Sequence, residues 1–231
     1  LAGLITIVAG FYAFKLEGTF DVKDFFKSDS DYVIGLDKID EYVGESGGES
    51  AIIYVEGDLT DPDALLALQD FITDLGNNSH VAKTAKGEAA IQARTIFNVI
   101  DQVMNSDYAV DQIEKNSGIS LSTEHSLNTL HYDGQVYRWP DSQLQLEAIY
   151  DYVTLEGIPI SPNQKIYDKL EIRETLSHNT VSKKDVTAIV VGIPGTREQT
   201  NVIESRNSLG KEIQLLDAIP SITLVGLTGS P

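Results

Sequence analysis

Val186 to Ile193 is a nearly unbroken apolar run, long enough for a strand and too short for a helix of its own. It opens a strand–helix–strand unit from Asp185 to Pro231. Gly192, Pro194 and Gly195 close the run, and Thr196 then stands three residues before Gln199, the spacing of a capping box. Ile203, Leu209, Ile213 and Leu216 follow at helical spacing, Pro220 ends that helix, and Ile222, Leu224, Val225 and Leu227 make a second strand. An earlier stretch repeats the plan. Ala51 to Val55 reads as a strand, Asp61 as a cap with Pro62 in the first turn, and Leu65, Leu68, Ile72 and Leu75 as one helix face. Val81 to Ala85 is a weaker strand carrying Lys83. Two such units predict an α+β chain built as a split βαβ pair, the ferredoxin-like sandwich of a sheet under two helices. That arrangement puts the first and third strands, here the most apolar, in the middle, and lysine is tolerated on an edge strand.

The 231 residues suffice for one large core or two small ones. Cysteine is absent, which excludes disulfides, thiol chemistry and cysteine-ligated metal. The net charge of −18 concentrates between Phe20 and Leu75 and reads as a solvated acidic face rather than a Ca²⁺ cluster. Such a surface repels nucleic acid and anionic headgroups, so no nucleic-acid partner is expected.

Leu1 to Phe14 carries no charge. As a helix it would span about 21 Å, less than the roughly 30 Å, or about 20 residues, that a membrane crossing needs. With Phe11, Tyr12, Phe14 and Lys15 resembling an interfacial belt, residues 1–16 are expected to be the C-terminal part of a transmembrane helix. A buried core helix or the remnant of a signal peptide are the other readings of the same run. Residues 17–50 form a connector and an amphipathic helix, Asp31 to Val43, with Val33, Leu36, Ile39 and Val43 as candidate buried positions. The first βαβ half is 51–86 and the second, with a lead-in to a further membrane helix, is 185–231. Between them lies a mainly helical insertion, 87–184. Its first helix runs from Ala89 through Ala93, Ile96, Ile100 and Val103, with Phe97 and Met104 beside this stripe. Asp133-Gly134 marks a hairpin from Leu130 to Arg138. A helix from Ser142 follows, then a loop at Ile158 to Pro162 and a short helix through Ile166, Leu170 and Leu176.

Chemistry is sparse. His80, His125, His131 and His178 lack zinc spacing and read as surface or loop residues. Ser122, Ser126 and Ser161 lack a nucleophile elbow. Gly192-Ile-Pro-Gly195 lacks the lysine of a phosphate loop and reads as a turn. Asp61 and Asp63 are explained by the start of a helix. Asn77-Asn78-Ser79 is a glycosylation sequon, relevant only on an extracytoplasmic face. No catalytic residue, metal or cofactor is expected.

The order of these pieces has a family likeness. An apolar helix leads into FDVKDFF and a Ser-Asp-Ser-Asp helix. AIIYVEGDLTDPDALLALQDF, a helical insertion, VTAIVVGIPG and LLDAIPSITLVGLTGSP follow. This resembles the first extracytoplasmic loop of resistance-nodulation-cell division (RND) exporters, in the lipid and hydrophobe branch related to the mycobacterial membrane protein large group. The resemblance implies a porter domain of a proton-driven exporter in the cell membrane. It implies as partners a hydrophobic or amphiphilic molecule or lipid, the remaining transmembrane helices, a second porter domain of the same chain and a possible homo-oligomer. The family's proton-relay carboxylates lie in membrane helices absent from this chain. Ile96, Phe97, Ile100, Val103, Met104, Tyr150 and Val153 are expected to line a substrate path, with ordinary core packing as the competing reading. A membrane-tethered extracytoplasmic binding or interaction module without transport activity is the alternative function.

Overall fold

The computed structural model describes residues 25–42, 48–121, 127–130, 136–140, 142–196 and 199–229. The apolar run Leu1 to Phe14, and with it the expected membrane helix, lies outside the described residues. In chain order the elements begin with α1 (Asp31–Tyr42), β1 (Glu49–Gly57), α2 (Pro62–Leu75), α3 (Ile96–Met104) and α4 (Asp107–Ser117). There follow β2 (Leu127–Leu130), β3 (Val136–Trp139), α5 (Gln143–Glu156), β4 (Ile158–Ser161), β5 (Gln164–Tyr167) and α6 (Lys169–Arg173). The last are β6 (Leu176–Ser177), β7 (Asp185–Ile193), α7 (Gln199–Ile213), a 3₁₀ turn (Leu216–Ala218) and β8 (Ile222–Gly229). The fold is α+β.

Two strands with period-2 burial set up the sheet. β1 buries Ala51, Ile53 and Val55 on one face and leaves Ile52, Tyr54 and Glu56 half-buried on the other. β7 does the same with Asp185, Thr187, Ile189 and Val191 against Val186, Ala188 and Val190. They are the central pair of a four-stranded antiparallel sheet of order β6-β7-β1-β8, with Ile53 opposite both Ile189 and Leu227. β7 and β8 therefore run parallel with β1 between them, and α7 makes the crossover. The buried side of the sheet shares one continuous core with α2, α3 and α5.

α2 forms where the residues call for it. The Asp61 carboxylate accepts from the Asp63 N–H at 3.0 Å, Pro62 occupies the first turn, and Leu65, Leu68, Ile72 and Leu75 are all buried. Asp61 also receives a hydrogen bond from the Ser221 hydroxyl, which fastens the start of this helix to the approach to β8. In α1, Val33 is buried as expected. The side chains of Leu36, Ile39 and Val43 lie outside the described residues.

Several expectations are corrected. Val81 to Ala85 is no strand: Ala90 N–H donates to Ala82 O and Thr84 N–H to Glu88 O, folding the segment into a tight turn in which Gly87 takes φ 85°. Lys83 makes only an isolated bridge to Ala89, and the segment meets the end of β7 at single points, Ala82 N–H donating to Gly192 O and Gly192 N–H to Ala90 O. The outer edge of β7 is instead shared by two-residue β6 and by Ile91, which bridges Val191. Ala89 and Ala93 precede the first insertion helix rather than belonging to it. α3 starts at Ile96 because Thr95 caps it, its N–H and hydroxyl both donating to the Asn98 side-chain oxygen at 2.9 Å. Ile158 to Pro162 contains β4, paired with β5, and not a loop. The turn into β4 is made by Gly157 at φ 80°, where a Cβ would collide with the Tyr167 carbonyl. The short helix is only α6, capped by Asp168, with Ile166 in β5 and Leu176 in β6. In α7, Leu209 is buried but Ile203 is exposed, and Leu216 belongs to the 3₁₀ turn. The expected hairpin is present as β2 and β3, with its turn outside the described residues.

Replacing Asp61 by Ala removes both the cap of α2 and the acceptor for Ser221, and should lower unfolding stability by about 1–2 kcal/mol. Urea unfolding reads this directly, and a midpoint equal to the parent's would show that the cap contributes nothing.

Candidate functional site

The expected substrate-path residues sit on two helices that both turn apolar residues into the one core. On α3, Ile96, Phe97, Ile100 and Val103 are buried and Met104 is partly buried against the same cluster. On α5, Tyr150 and Val153 are fully buried. All seven therefore lie in or against the core shared with the sheet, and neither of the two cavities described next is lined by them.

The first cavity, about 430 Å³, opens between α7 and one end of the sheet. Its apolar wall comes from Ala51, Ile193, Val202, Leu209 and Leu227, and Glu49 and Arg206 stand exposed at its mouth. It exists because α7 is poor in large apolar residues: Ser205 occupies a buried position where a leucine would have closed the gap. The second, about 420 Å³, lies between α2 and the end of α7 and is rimmed by Asp70, Asp74 and Glu212. Asn78 stands beside it, donating to Ser208 and Glu212, and Asn77 of the sequon is exposed.

A third arrangement was not expected from the sequence. β7 starts on the buried phase with a carboxylate, Asp185, which is 1 % exposed. One of its oxygens accepts from the Leu59 N–H at 2.9 Å and the other meets His178 Nδ1 at 2.5 Å. The other ring nitrogen, Nε2, faces Asp151 of α5 at 3.3 Å. The Thr180 hydroxyl donates to the same Asp151 oxygen at 2.6 Å. Tyr150 stacks its edge near the imidazole and donates its hydroxyl to the Leu59 carbonyl at 2.9 Å. Burial, reinforced by Asp185 and Asp58, holds the Tyr150 phenol far above its usual pKa, so it is a neutral donor. Alongside, Gln143 donates to Asp58 at 3.0 Å and to Thr60 at 3.2 Å.

The reading of His178 as a surface or loop residue is thus corrected: it lies in a connector, but its side chain is only 3 % exposed. His80 is half-buried in the turn after α2, and His125 and His131 lie outside the described residues. The spacing of Asp151, His178 and Asp185 matches no motif. The one sequence signal was an acid in register with the buried residues of an apolar strand. Among the described residues no cluster is arranged to hold a metal ion, and no helix is long and apolar enough to cross a membrane. Gly192 to Gly195 ends β7 in a turn, Gly195 at φ 69° accepting from Asn201. No family model, curated protein or solved structure matches the chain.

Ile100→Gln places an amide in the α3 core and should cost roughly 2–4 kcal/mol through lost burial and an unpaired polar group. Simple unfolding supports core packing for the stripe. A folded variant that has lost movement of substrate supports a path.

Proposed function

We propose that the chain is the extracytoplasmic substrate-binding or channelling domain of a proton-driven RND-type exporter of hydrophobic or amphiphilic molecules. Its finer fold in this reading is the ferredoxin-like porter domain with a helical insertion. The observation that carries the proposal is the placement of the sheet's entry and exit. β1 starts and β8 ends at the same end, with Ala51 opposite Gly229. A loop strung between two neighbouring membrane helices must return its ends to one surface, and this register does so. β1 between β7 and β8, with α7 as crossover, is also the split βαβ order.

In this reading the groove at that end of the sheet is the first substrate contact, with Leu209 and Leu227 as its apolar floor. The packed stripe of Ile96, Phe97, Ile100, Val103, Met104, Tyr150 and Val153 becomes a path wall when α3 and α5 part. The remaining transmembrane helices and a second porter domain of the same chain would complete the transporter.

Titrating the 231-residue chain with a fluorescent single-chain fatty acid tests the binding role. Saturable binding is expected, and Leu227→Trp, which fills the groove, should weaken it about tenfold or more, equivalent to about 1.4 kcal/mol. The complete reading frame tests the exporter role: about ten or more further apolar spans of about 20 residues are expected. A frame without them overturns the proposal in favour of a tethered binding module, and binding unaffected by Leu227→Trp removes the groove from it.

A further inference from the structure

His178 lies between two carboxylates. Its Nδ1 is hydrogen-bonded to Asp185, on the sheet, at 2.5 Å, and its Nε2 lies 3.3 Å from Asp151, on the insertion helix α5, a charge contact without hydrogen-bond alignment. Carboxylates offer only lone pairs, so both contacts are attractive only when both ring nitrogens carry hydrogen. A neutral imidazole can donate to one of them and must turn a lone pair on the other. The ring cannot escape to solvent, since its side chain is 3 % exposed and Tyr150 packs against it at 5.7 Å between centroids.

The remaining charges nearby do not replace this bridge. Glu147, one turn before Asp151 on α5, adds a third negative charge and is met by Lys183 at 3.4 Å. Lys184 is turned away to Glu56 of β1 at 2.7 Å. From the β1–α2 connector the cluster is met by the Leu59 backbone, and Asp58 there is bonded to Thr60 and Gln143.

We propose that His178 is a proton-operated latch: charged, it clamps α5 to the start of β7 through Asp151 and Asp185, and on losing its proton it releases α5. The inference concerns the described chain alone and holds whether or not the domain belongs to an exporter. Electrostatics point the same way. Burial pushes the His178 pKa down, but the Asp185 hydrogen bond and the charges of Asp185, Asp151 and Glu147 outweigh it and hold it above the ordinary histidine value. A folded pKa above the unfolded one favours the folded state on the acidic side. The latch's contribution is complete below about 6.5, the ordinary histidine value, and is lost as pH rises through the higher folded pKa. The domain is therefore closed on the acidic side of that transition and loosens on its alkaline side.

The test is a ring-proton NMR titration of the whole 231-residue chain. It is paired with hydrogen exchange of the α5 amides, corrected for the base-catalysed intrinsic rate. His178→Phe identifies the His178 signal and keeps an aromatic ring beside Tyr150. The expected result is a midpoint above that of an unstructured histidine peptide. Protection of the α5 amides should fall by up to about tenfold per pH unit between the two midpoints. Should His178→Phe fail to fold, Asp151→Asn serves: Asp151 is 45 % exposed, and removing its charge should lower the midpoint and shrink the pH dependence. A midpoint at or below the peptide's overturns the inference. So does protection that is flat with pH, or an Asp151→Asn chain that titrates like the parent.

Discussion

The buried carboxylate of Asp185 is the contact on which the architecture turns. Taking an ionised carboxylate out of water costs several kcal/mol unless hydrogen bonds and a countercharge replace its hydration. Here the Leu59 N–H takes one oxygen and His178 the other. Those two partners fix different things. Leu59 belongs to the connector that carries the chain out of β1 into α2, and His178 to the one that leads into β7. Asp185 itself is paired with Gly57, the last residue of β1. One side chain therefore sets where the central strand pair ends and where both adjoining connectors lie. Tyr150 adds α5 to the same point through the carbonyl of Leu59, the residue whose N–H Asp185 already holds.

The connector from His178 to Lys184 is correspondingly rich in cations, for a chain with 17 basic residues against 35 acidic ones. His178 meets Asp185 and Asp151, Lys183 meets Glu147, and Lys184 meets Glu56. The pairs reach three elements: β7, α5 and β1. The lysine pairs are largely exposed and contribute little each. The His178–Asp185 pair is different in kind because solvent is excluded from it. Direction matters more here than total energy: apolar packing holds α5 against the core without fixing its register, and directional contacts such as the Tyr150–Leu59 and Thr180–Asp151 hydrogen bonds do fix it.

What could be read from the residues is what local chemistry and burial period decide together. Asp61, Pro62 and the Leu65-Leu68-Ile72-Leu75 face specify α2 without help from elsewhere, and the apolar runs of β1 and β7 already marked them as the central strands. The misread segments are those where tertiary context overrides a weak local signal. Val81 to Ala85 has strand composition, yet it folds back through Gly87 and meets β7 only through Ala82 N–H to Gly192 O. Ala89 and Ala93 fit the helical period of α3, but the Thr95–Asn98 cap starts the helix after them. β4 was hidden by Pro159, which its short two-strand pairing accommodates through irregular register. His178 was invisible because its meaning depends on Asp151 and Asp185, brought together only by the fold.

The helical insertion is not an appendage with a core of its own. Ile96, Phe97, Ile100, Val103, Ile149 and Val153 belong to the same buried cluster as Ile53, Val55, Leu65 and Ile189. Side chains in such a core are close-packed, so a shift of α5 cannot be absorbed locally and must move its neighbours on α4 and α6. A polar contact at the seam between α5 and β7 is then well placed to govern the whole. The apolar interface supplies most of the cohesion and resists partial displacement, while the Asp151–His178–Asp185 bridge has two discrete states that differ by one proton. A packed interface coupled to such a bridge favours two arrangements over a continuum, and this is how a change at one buried ring can be felt at a distance from it.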